Sequence, residues 1–192
     1  LSDASAAKAY RLLRQICQAA VDDRLMRESP CRIKDAAADR SLERQIPTLD
    51  EVSRLADSIE PRYRAMVLLA AYAGLRKGEC FGLARRHLNL TSSPPTVTVE
   101  RTRAETASLG MIYQPPKTLA GTRTLALPGS LVSELQQHLD SLVAHRDPGA
   151  LVFTAERSGD TPTKMVWRRA WEKARAGADV SCTFHDLRHV AG

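Results

Sequence analysis

The chain has 192 residues, 43% of them hydrophobic and 26% charged, with a formal net charge of +6 at pH 7. Such a length and composition are typical of a globular protein with one ordinary domain plus a fragment, or with two small domains, and the longest apolar run, residues 65–75, is too short to cross a bilayer. With no secretion signal visible, we expect a cytoplasmic protein that does not contact a membrane. The positive charge favours a polyanionic partner, most simply nucleic acid.

The cysteines carry little information about function. They form no Cys-x-x-Cys pair and have no histidine at zinc-finger spacing, so reduced thiols are expected and no metal site is predicted from them. The four residues are Cys17, Cys31, Cys80 and Cys182.

Residues 5–27 have the pattern of an amphipathic helix. Its apolar stripe contains Leu12, Leu13, Ile16, Cys17, Ala20, Val21 and Leu25. One helix cannot bury such a stripe alone. We therefore expect it to close a domain whose beginning lies outside this sequence, or to pack on another chain. The charged, alanine-rich residues 34–46 that follow suggest an interdomain linker.

Two helices are predicted after this linker. Thr48 with Glu51 fits a capping box, which opens a helix that runs to about residue 59. Pro61 favours the start of the next helix, and residues 62–73 are apolar almost all round. That helix should therefore be central, with Gly74 as its C-cap. A short helix is expected at residues 77–84.

The rest of the chain predicts a small antiparallel sheet followed by helices. Residues 96–100 alternate in the strand pattern, and Met111–Tyr113 and Thr122–Leu127 supply two more short strands. Further helices are predicted at residues 131–143, at 163–176 with Gly177 as cap, and from Thr183 onward with Asp186 in its first turn. The predicted fold class is α+β, mostly α-helical, with one three-stranded antiparallel sheet.

An arginine follows the apolar helix in the segment Gly74-Leu75-Arg76-Lys77-Gly78-Glu79. Arg76 should have a fixed base from which its guanidinium can bind a phosphate with two N–H groups. Glu79 can orient Arg76 or cap the short helix. The alternative is an Arg–Glu pair with a purely structural role.

A second arginine lies in His185-Asp186-Leu187-Arg188-His189. The three-residue spacing places His185 and Arg188 on one side of a helical turn, where both could bind a phosphate, while His189 is expected to point away and support packing. Lys117 on the predicted hairpin could protonate a leaving oxygen. The alternatives are a helix-start hydrogen bonder for His185 and a solvated turn residue for Lys117.

These segments, in this order, resemble the tyrosine recombinases of the phage-integrase family. Gly74–Glu79 resembles the first-arginine box, Gln114–Pro128 the catalytic hairpin and Phe184–His189 the second-arginine box. The resemblance covers about Thr48 to the end of the chain. It implies the domain organisation 1–33, closing helix of a core-binding domain; 34–47, linker; and 48–192, catalytic domain.

The resemblance also implies a reaction, site-specific DNA recombination through a 3′-phosphotyrosyl intermediate. Arg76 and Arg188 would balance charge on the phosphate, His185 would assist, and Lys117 would protonate the departing 5′ oxygen. Glu79 and His189 are expected to support this site. Neither a metal nor a cofactor is implied, and the expected partner is double-stranded DNA, on which such enzymes commonly work as homo-tetramers.

Two residues are candidates for contact with the DNA backbone. Lys77 follows the first arginine, and Arg123 lies in the strand that returns from the hairpin, where it should touch DNA or solvent.

The family's nucleophilic tyrosine follows the second arginine. All tyrosines of this chain precede that arginine: Tyr10, Tyr63, Tyr72 and Tyr113. We therefore predict no nucleophile among the 192 residues, and expect this segment by itself to bind DNA weakly and form no covalent adduct. Two other functions stay open: a non-catalytic DNA-binding protein, such as a decayed integrase with the same fold, and a helical interaction domain with structural arginines.

Overall fold

The computed structural model describes residues 2–36, 38, 46–106, 110–115, 121–143 and 147–191. The chain divides into two compact units, Leu1–Arg44 and Gln45–Gly192. Most of the predicted linker lies outside the described residues, and the identity of residues 1–33 as the end of a core-binding domain stays a prediction.

The first unit is built on one long helix, α1 (Asp3–Asp22), which ends before the predicted residue 27. The Ser2 side chain caps it by accepting a hydrogen bond of 3.3 Å from the Ser5 amide. The amide of Ile33 donates to the Tyr10 hydroxyl at 2.8 Å, which ties the following segment to the helix. Much of the predicted apolar stripe is open to solvent, since Leu12, Leu13 and Ile16 are each half exposed or more.

The second unit is organised around α3 (Pro61–Ala73), as the sequence predicted. Its residues are buried on nearly every side, and α3 packs mainly against α2 (Leu49–Ser58), α5 (Gly129–Leu142) and a 3-10 helix at Asp186–Val190. The predicted capping box of α2 is confirmed. The Thr48 amide donates to the Glu51 carboxylate at 2.8 Å, and the Glu51 amide donates to the Thr48 hydroxyl at 3.2 Å.

Two further helices complete the second unit, α4 (Lys77–Gly82) and α6 (Lys164–Ala178). Gly177 lies inside α6, contrary to prediction, and Asp179 ends the helix in the left-handed conformation with φ +53°. The predicted helix from Thr183 is a short 3-10 helix instead. Its start is fixed by the amide and hydroxyl of Thr183, which donate to the Asp186 carboxylate at 2.8 and 2.7 Å.

The sheet differs from the prediction in its membership. Three short strands do form one antiparallel sheet, in the order β1 (Leu88–Asn89), β2 (Thr96–Val99) and β5 (Arg123–Ala126). The predicted strand at Met111–Tyr113 is not one of them. It belongs to β4 (Gly110–Gln114), which forms a separate hairpin with β3 (Thr102–Thr106). Strand periodicity identified β4 but could not select its partner.

An aromatic cluster connects the helices near the site. Trp167 of α6 is its centre, with ring-centroid distances of 5.3 Å to Tyr63, 5.4 Å to Phe81, 5.3 Å to Phe184 and 6.0 Å to Trp171. Three of these contacts are edge-on, a favoured geometry. The cluster therefore fixes α3, α4 and α6 to the residue that precedes His185.

Within the part of the chain that the structure describes, no helix combines the length and the apolar character that a membrane span needs. All the cysteines are free thiols, and Cys17, Cys80 and Cys182 are buried.

Candidate active site

The first arginine is placed by the end of the central helix. Gly74 closes α3 with φ +65°, a left-handed conformation that a residue with a Cβ adopts only at a cost. Leu75 then enters the core with no exposed surface, and the side chain of Arg76 emerges 57% exposed. The alternation of a buried leucine and an exposed arginine therefore fixes the backbone under a guanidinium that solvent or a ligand can reach.

The carboxylate of Glu79 binds Arg76 through hydrogen bonds. This buried carboxylate accepts the Arg76 amide at 2.8 Å and Nη1 of Arg76 at 2.9 Å. Burial by itself raises the pKa of Glu79, but hydrogen bonds from Arg123 and Arg76 outweigh it, so that the pKa lies below its ordinary value. Among the described residues, Nε and Nη2 of Arg76 meet no acceptor. The carboxylate thus orients the guanidinium and leaves one of its edges for another anion.

The second arginine is attached to the first box. Nε of Arg188 donates a hydrogen bond of 2.6 Å to the carbonyl oxygen of Gly74. Leu187 beside it is fully buried, as Leu75 is in the first box. Within the described part of the chain, both Nη groups of Arg188 meet no acceptor. Burial and then the positive charge of Arg76 lower the pKa of Arg188.

His185 lies at the same site as Arg76. It lines a cavity of about 580 Å³ together with Arg76 and Lys77. The prediction that His189 points away from His185 was wrong, because their rings meet edge-on with centroids 5.9 Å apart. Residues four apart lie on the same side of a helical turn, which the spacing argument overlooked. Two imidazoles therefore stand together next to Arg188.

The rim of this cavity is strongly basic. Besides Arg76 and Lys77 it contains Lys164, Arg168 and Arg175, with Glu172 as an acidic member. Burial and then the charge of Lys164 lower the pKa of Lys77, and both lysines line the cavity. The sequence analysis missed the cations of α6. Their signal was present in the helical spacing of Lys164, Arg168 and Arg175, which places them on the same side of α6 as Trp171.

The structure gives Arg123 a protein partner. Its Nη1 and Nη2 donate to the two oxygens of Glu79 at 3.0 and 2.9 Å, and the side chain is 23% exposed. The contact of Arg123 with DNA stays a prediction. Lys117 lies outside the described residues, and its role stays a prediction.

The tyrosines of the second unit pack against the core or against arginine side chains. Tyr63 is fully buried against Trp167, and burial raises the pKa of its phenol to about 12. Tyr72 packs partly buried on the core, and Tyr113 is stacked beside Arg101 and Arg103, with its ring centroid 4.1 Å from the Arg101 guanidinium carbon and 4.5 Å from that of Arg103. None of them lines the cavity that contains Arg76 and His185. Among the described residues, no group of three or more His, Cys, Asp or Glu side chains could hold a metal ion.

Comparison with known proteins relates this arrangement to integrases. Residues 43–192 match the family described as the phage integrase family. The integrase assigned to prophage phiRv2 of Mycobacterium tuberculosis is 30% identical over 190 residues, covering 95% of this chain and 48% of that protein. The integrase of Mycobacterium phage D29 is 29% identical over 185 residues, with the same two coverages.

A solved structure shares the fold. The Tn1549 transposon integrase in complex with circular intermediate DNA aligns with a TM-score of 0.75 at 17% identity, over 95% of this chain and 63% of that one. The chain spans about half the length of the curated relatives it matches. Because the family match extends over residues 43–192 and contains both arginine boxes, the chain belongs to the phage integrase family.

Proposed function

We propose that the protein carrying this chain performs site-specific DNA recombination by cleaving and rejoining strands of double-stranded DNA. The observation that carries the proposal is the hydrogen bond of 2.6 Å from Arg188 to the Gly74 carbonyl, which fixes the second arginine box on the first. Arg76 and His185 line one cavity beside it. The relatives named as integrases, matched over 95% of this chain, support the same function.

In the proposed reaction a tyrosine oxygen attacks a phosphodiester of DNA. A bond forms between that oxygen and phosphorus, and the bond from phosphorus to the 5′ oxygen breaks. Arg76 and Arg188 donate N–H groups to the non-bridging oxygens, which carry the developing charge, and His185 adds a third contact. Lys117 supplies the proton that the 5′ oxygen takes up. Rejoining reverses these steps without ATP, since the 3′-phosphotyrosyl bond retains the energy of the broken one.

Glu79 and His189 take supporting parts in the proposal. Glu79 holds Arg76 through two hydrogen bonds, and His189 holds the ring of His185 by its edge. The balance of charge comes from arginine and lysine side chains, so the proposed steps include neither a metal nor a cofactor.

The basic rim is proposed to follow the duplex backbone beside the reacting phosphate. Lys77, Lys164 and Arg168 lie next to Arg76 around the cavity, where they could neutralise neighbouring phosphates. Exchange of strands between two duplexes requires several active sites, and we propose a homo-tetramer on DNA in the cytoplasm.

The proposed function is tested in the full-length protein with a nicked suicide substrate. The wild-type protein should form a covalent protein–DNA complex that survives a denaturing gel. Arg76→Ala and Arg188→Ala should abolish this complex and retain DNA binding in a gel-shift assay. Arg86→Ala, which removes an exposed arginine that does not line the cavity, serves as the control and should leave the adduct yield unchanged. Near-normal cleavage by either site variant would remove that residue from the active site.

A modified substrate separates the role of Lys117 from the others. Replacing the bridging 5′ oxygen with sulfur gives a leaving group that needs no protonation, because a thiol is far more acidic than an alcohol. Lys117→Ala should cleave ordinary DNA slowly and the sulfur substrate at nearly the wild-type rate. Equal loss on both substrates would argue against a general acid at this position. A wild-type protein that binds DNA with a steep salt dependence and never forms an adduct would indicate a non-catalytic DNA-binding protein instead.

A further inference from the structure

The geometry points to Arg123 as a positioning residue for Arg76, acting through Glu79, and we propose this role for it. The inference rests on the cleavage function proposed above. Arg123 is the first residue of β5, where it pairs in register with Val99 of the central strand β2. Its guanidinium reaches from the sheet to α4 and grips the Glu79 carboxylate with both Nη groups, at 3.0 and 2.9 Å.

Glu79 is saturated by the two arginines. A carboxylate has about four positions for hydrogen-bond donors. Two are taken by the amide and Nη1 of Arg76, at 2.8 and 2.9 Å, and the other two by Arg123. The side chain of Glu79 is only 3% exposed, so water has almost no access to it. Arg123 therefore determines how many acceptor positions of the Glu79 carboxylate remain for Arg76.

The way in which Arg76 and Arg123 share the Glu79 carboxylate affects how Arg76 can bind the phosphate. Glu79 takes the amide and a single Nη group of Arg76 because its remaining positions are occupied. If Arg123 were neutral, the carboxylate would lose two donors and its second positive partner. It would then either take up a proton and release Arg76, or draw Nε or Nη2 of Arg76 onto its empty positions. Either change misplaces the guanidinium edge that the reaction needs.

The shifts in proton affinity agree with this arrangement. The hydrogen bonds that Arg123 donates to Glu79 raise the pKa of Arg123 more than burial lowers it. The pKa of Glu79 is low because its bonds to Arg123 and Arg76 outweigh the opposing effect of burial. Without Arg123, the effect of burial should therefore raise the pKa of Glu79 above its value in the wild-type protein.

The rival role for Arg123 is a direct contact with a DNA phosphate. The two roles differ in what they change. A phosphate ligand contributes to the salt dependence of binding, whereas a positioning residue alters the rate of cleavage by bound protein. Two replacements separate them: Arg123→Met, which keeps the length of the side chain and removes its charge, and Arg123→Lys, which keeps the charge and loses the paired N–H groups.

The experiment measures single-turnover cleavage of the suicide substrate by the full-length protein, at saturating DNA and over a range of pH, with DNA affinity measured at several salt concentrations. Arg123→Met should lower the cleavage rate constant by roughly 100-fold, as expected when a transition-state donor is misplaced. Its DNA affinity and salt slope should match those of the wild type. If Glu79 takes up a proton in this variant, the rate should also rise with pH, and adding Glu79→Gln should remove that dependence. Arg123→Lys should recover part of the rate.

Each other outcome contradicts a specific claim. Wild-type cleavage rates and pH profiles in both Arg123 variants would overturn the positioning role. A salt slope reduced by about one, with an unchanged rate at saturation, would make Arg123 a DNA ligand instead. If Arg123→Met does not fold, an unchanged rate and pH profile in a folded Arg123→Lys protein overturns the role. Absence of any covalent complex from the wild-type protein would overturn the proposed function itself and this inference with it.

Discussion

The carbonyl oxygen of Gly74 accepts a hydrogen bond of 2.6 Å from Nε of Arg188, so the residue that ends α3 also holds the second arginine of the site. The two residues are 114 positions apart in the chain. Because Nε is the group engaged, the outer edge of the guanidinium carries the two Nη groups. One side chain can therefore bind the protein and a phosphate at the same time.

Arg188→Lys should not preserve this double contact. A lysine has one ammonium group on a flexible stem and cannot bind the Gly74 carbonyl while presenting paired donors to a phosphate. We expect cleavage by the full-length protein to fall about 100- to 1,000-fold, the usual effect of losing a transition-state donor. Single-turnover cleavage of the suicide substrate measures this, and DNA affinity should change little. A rate close to wild type would show that positive charge alone suffices.

Gly74→Ala should disturb the positions of both Arg76 and Arg188. The left-handed φ of +65° costs a residue with a Cβ about 1–2 kcal/mol, and relief of that strain would move the carbonyl that Arg188 binds. We expect a free energy of unfolding lower by about that amount, with slower cleavage. Gly129→Ala is the matched control, since Gly129 begins α5, an added Cβ there would meet no atom within 4 Å, and its φ is not positive. Equal stability of the two variants in urea denaturation would contradict the argument.

Gly78→Ala should disturb the contact between α4 and β3. A Cβ at Gly78 would lie 2.6 Å from Cγ2 of Thr102 and 3.1 Å from the carbonyl oxygen of Arg103. Overpacking of this kind costs about 1–3 kcal/mol. Adding Thr102→Ser removes the closer atom and should restore part of the stability, which a double-mutant cycle detects. Strict additivity of the two changes would mean that α4 and β3 separate freely.

Trp167→Ala should destabilise the second unit strongly. The indole contacts Tyr63, Phe81 and Phe184, and removal of a buried tryptophan side chain costs about 3–5 kcal/mol. Trp167→Phe should lose less, because it keeps a ring in the cluster. The half-exposed neighbour Val166 is the control, and Val166→Ala should change the free energy of unfolding by no more than about 0.5 kcal/mol. A loss below about 1 kcal/mol for Trp167→Ala would rule out the cluster as a main support.

Glu79 should make stability sensitive to acid. Its pKa in the folded protein lies below the ordinary value, so its ion pairs stabilise the fold fully above about pH 4.5. That contribution disappears as the pH falls through the lowered pKa. At neutral pH we expect Glu79→Gln to lose about 1–3 kcal/mol, and the gap between variant and wild type should narrow toward pH 3. Urea denaturation over a pH series measures it. A gap that stays constant with pH would mean that the charge of Glu79 does not contribute.

The helical part of the fold could be read from local patterns. The Thr48 capping box, the all-apolar α3 and its Gly74 cap depend on residues within one or two helical turns of each other, and all three were predicted correctly. The sheet could not be read in this way. The strand β1 has two residues, too few to show alternation, and β4 selects a partner through register that its own sequence does not encode.

The arginines of the candidate site could be predicted from the sequence, but the long-range contacts between its residues could not. Each box pairs a leucine for the core with an arginine for the surface, and this local alternation identified Arg76 and Arg188. The bidentate contact of Arg123 with Glu79 joins residues 44 positions apart, and the hydrogen bond from Arg188 to Gly74 joins residues 114 positions apart. Such contacts arise from packing of whole elements, so periodicity and motif spacing contain no record of them.

The burial of Leu75 and Leu187 has a consequence for heat treatment of this protein. Arg76 and Arg188 each follow a leucine that is buried in the core. We therefore expect the site to keep its geometry as long as the core stays folded. Loss of the proposed DNA cleavage on warming should coincide with melting of the whole unit, and a partly unfolded chain should be inactive.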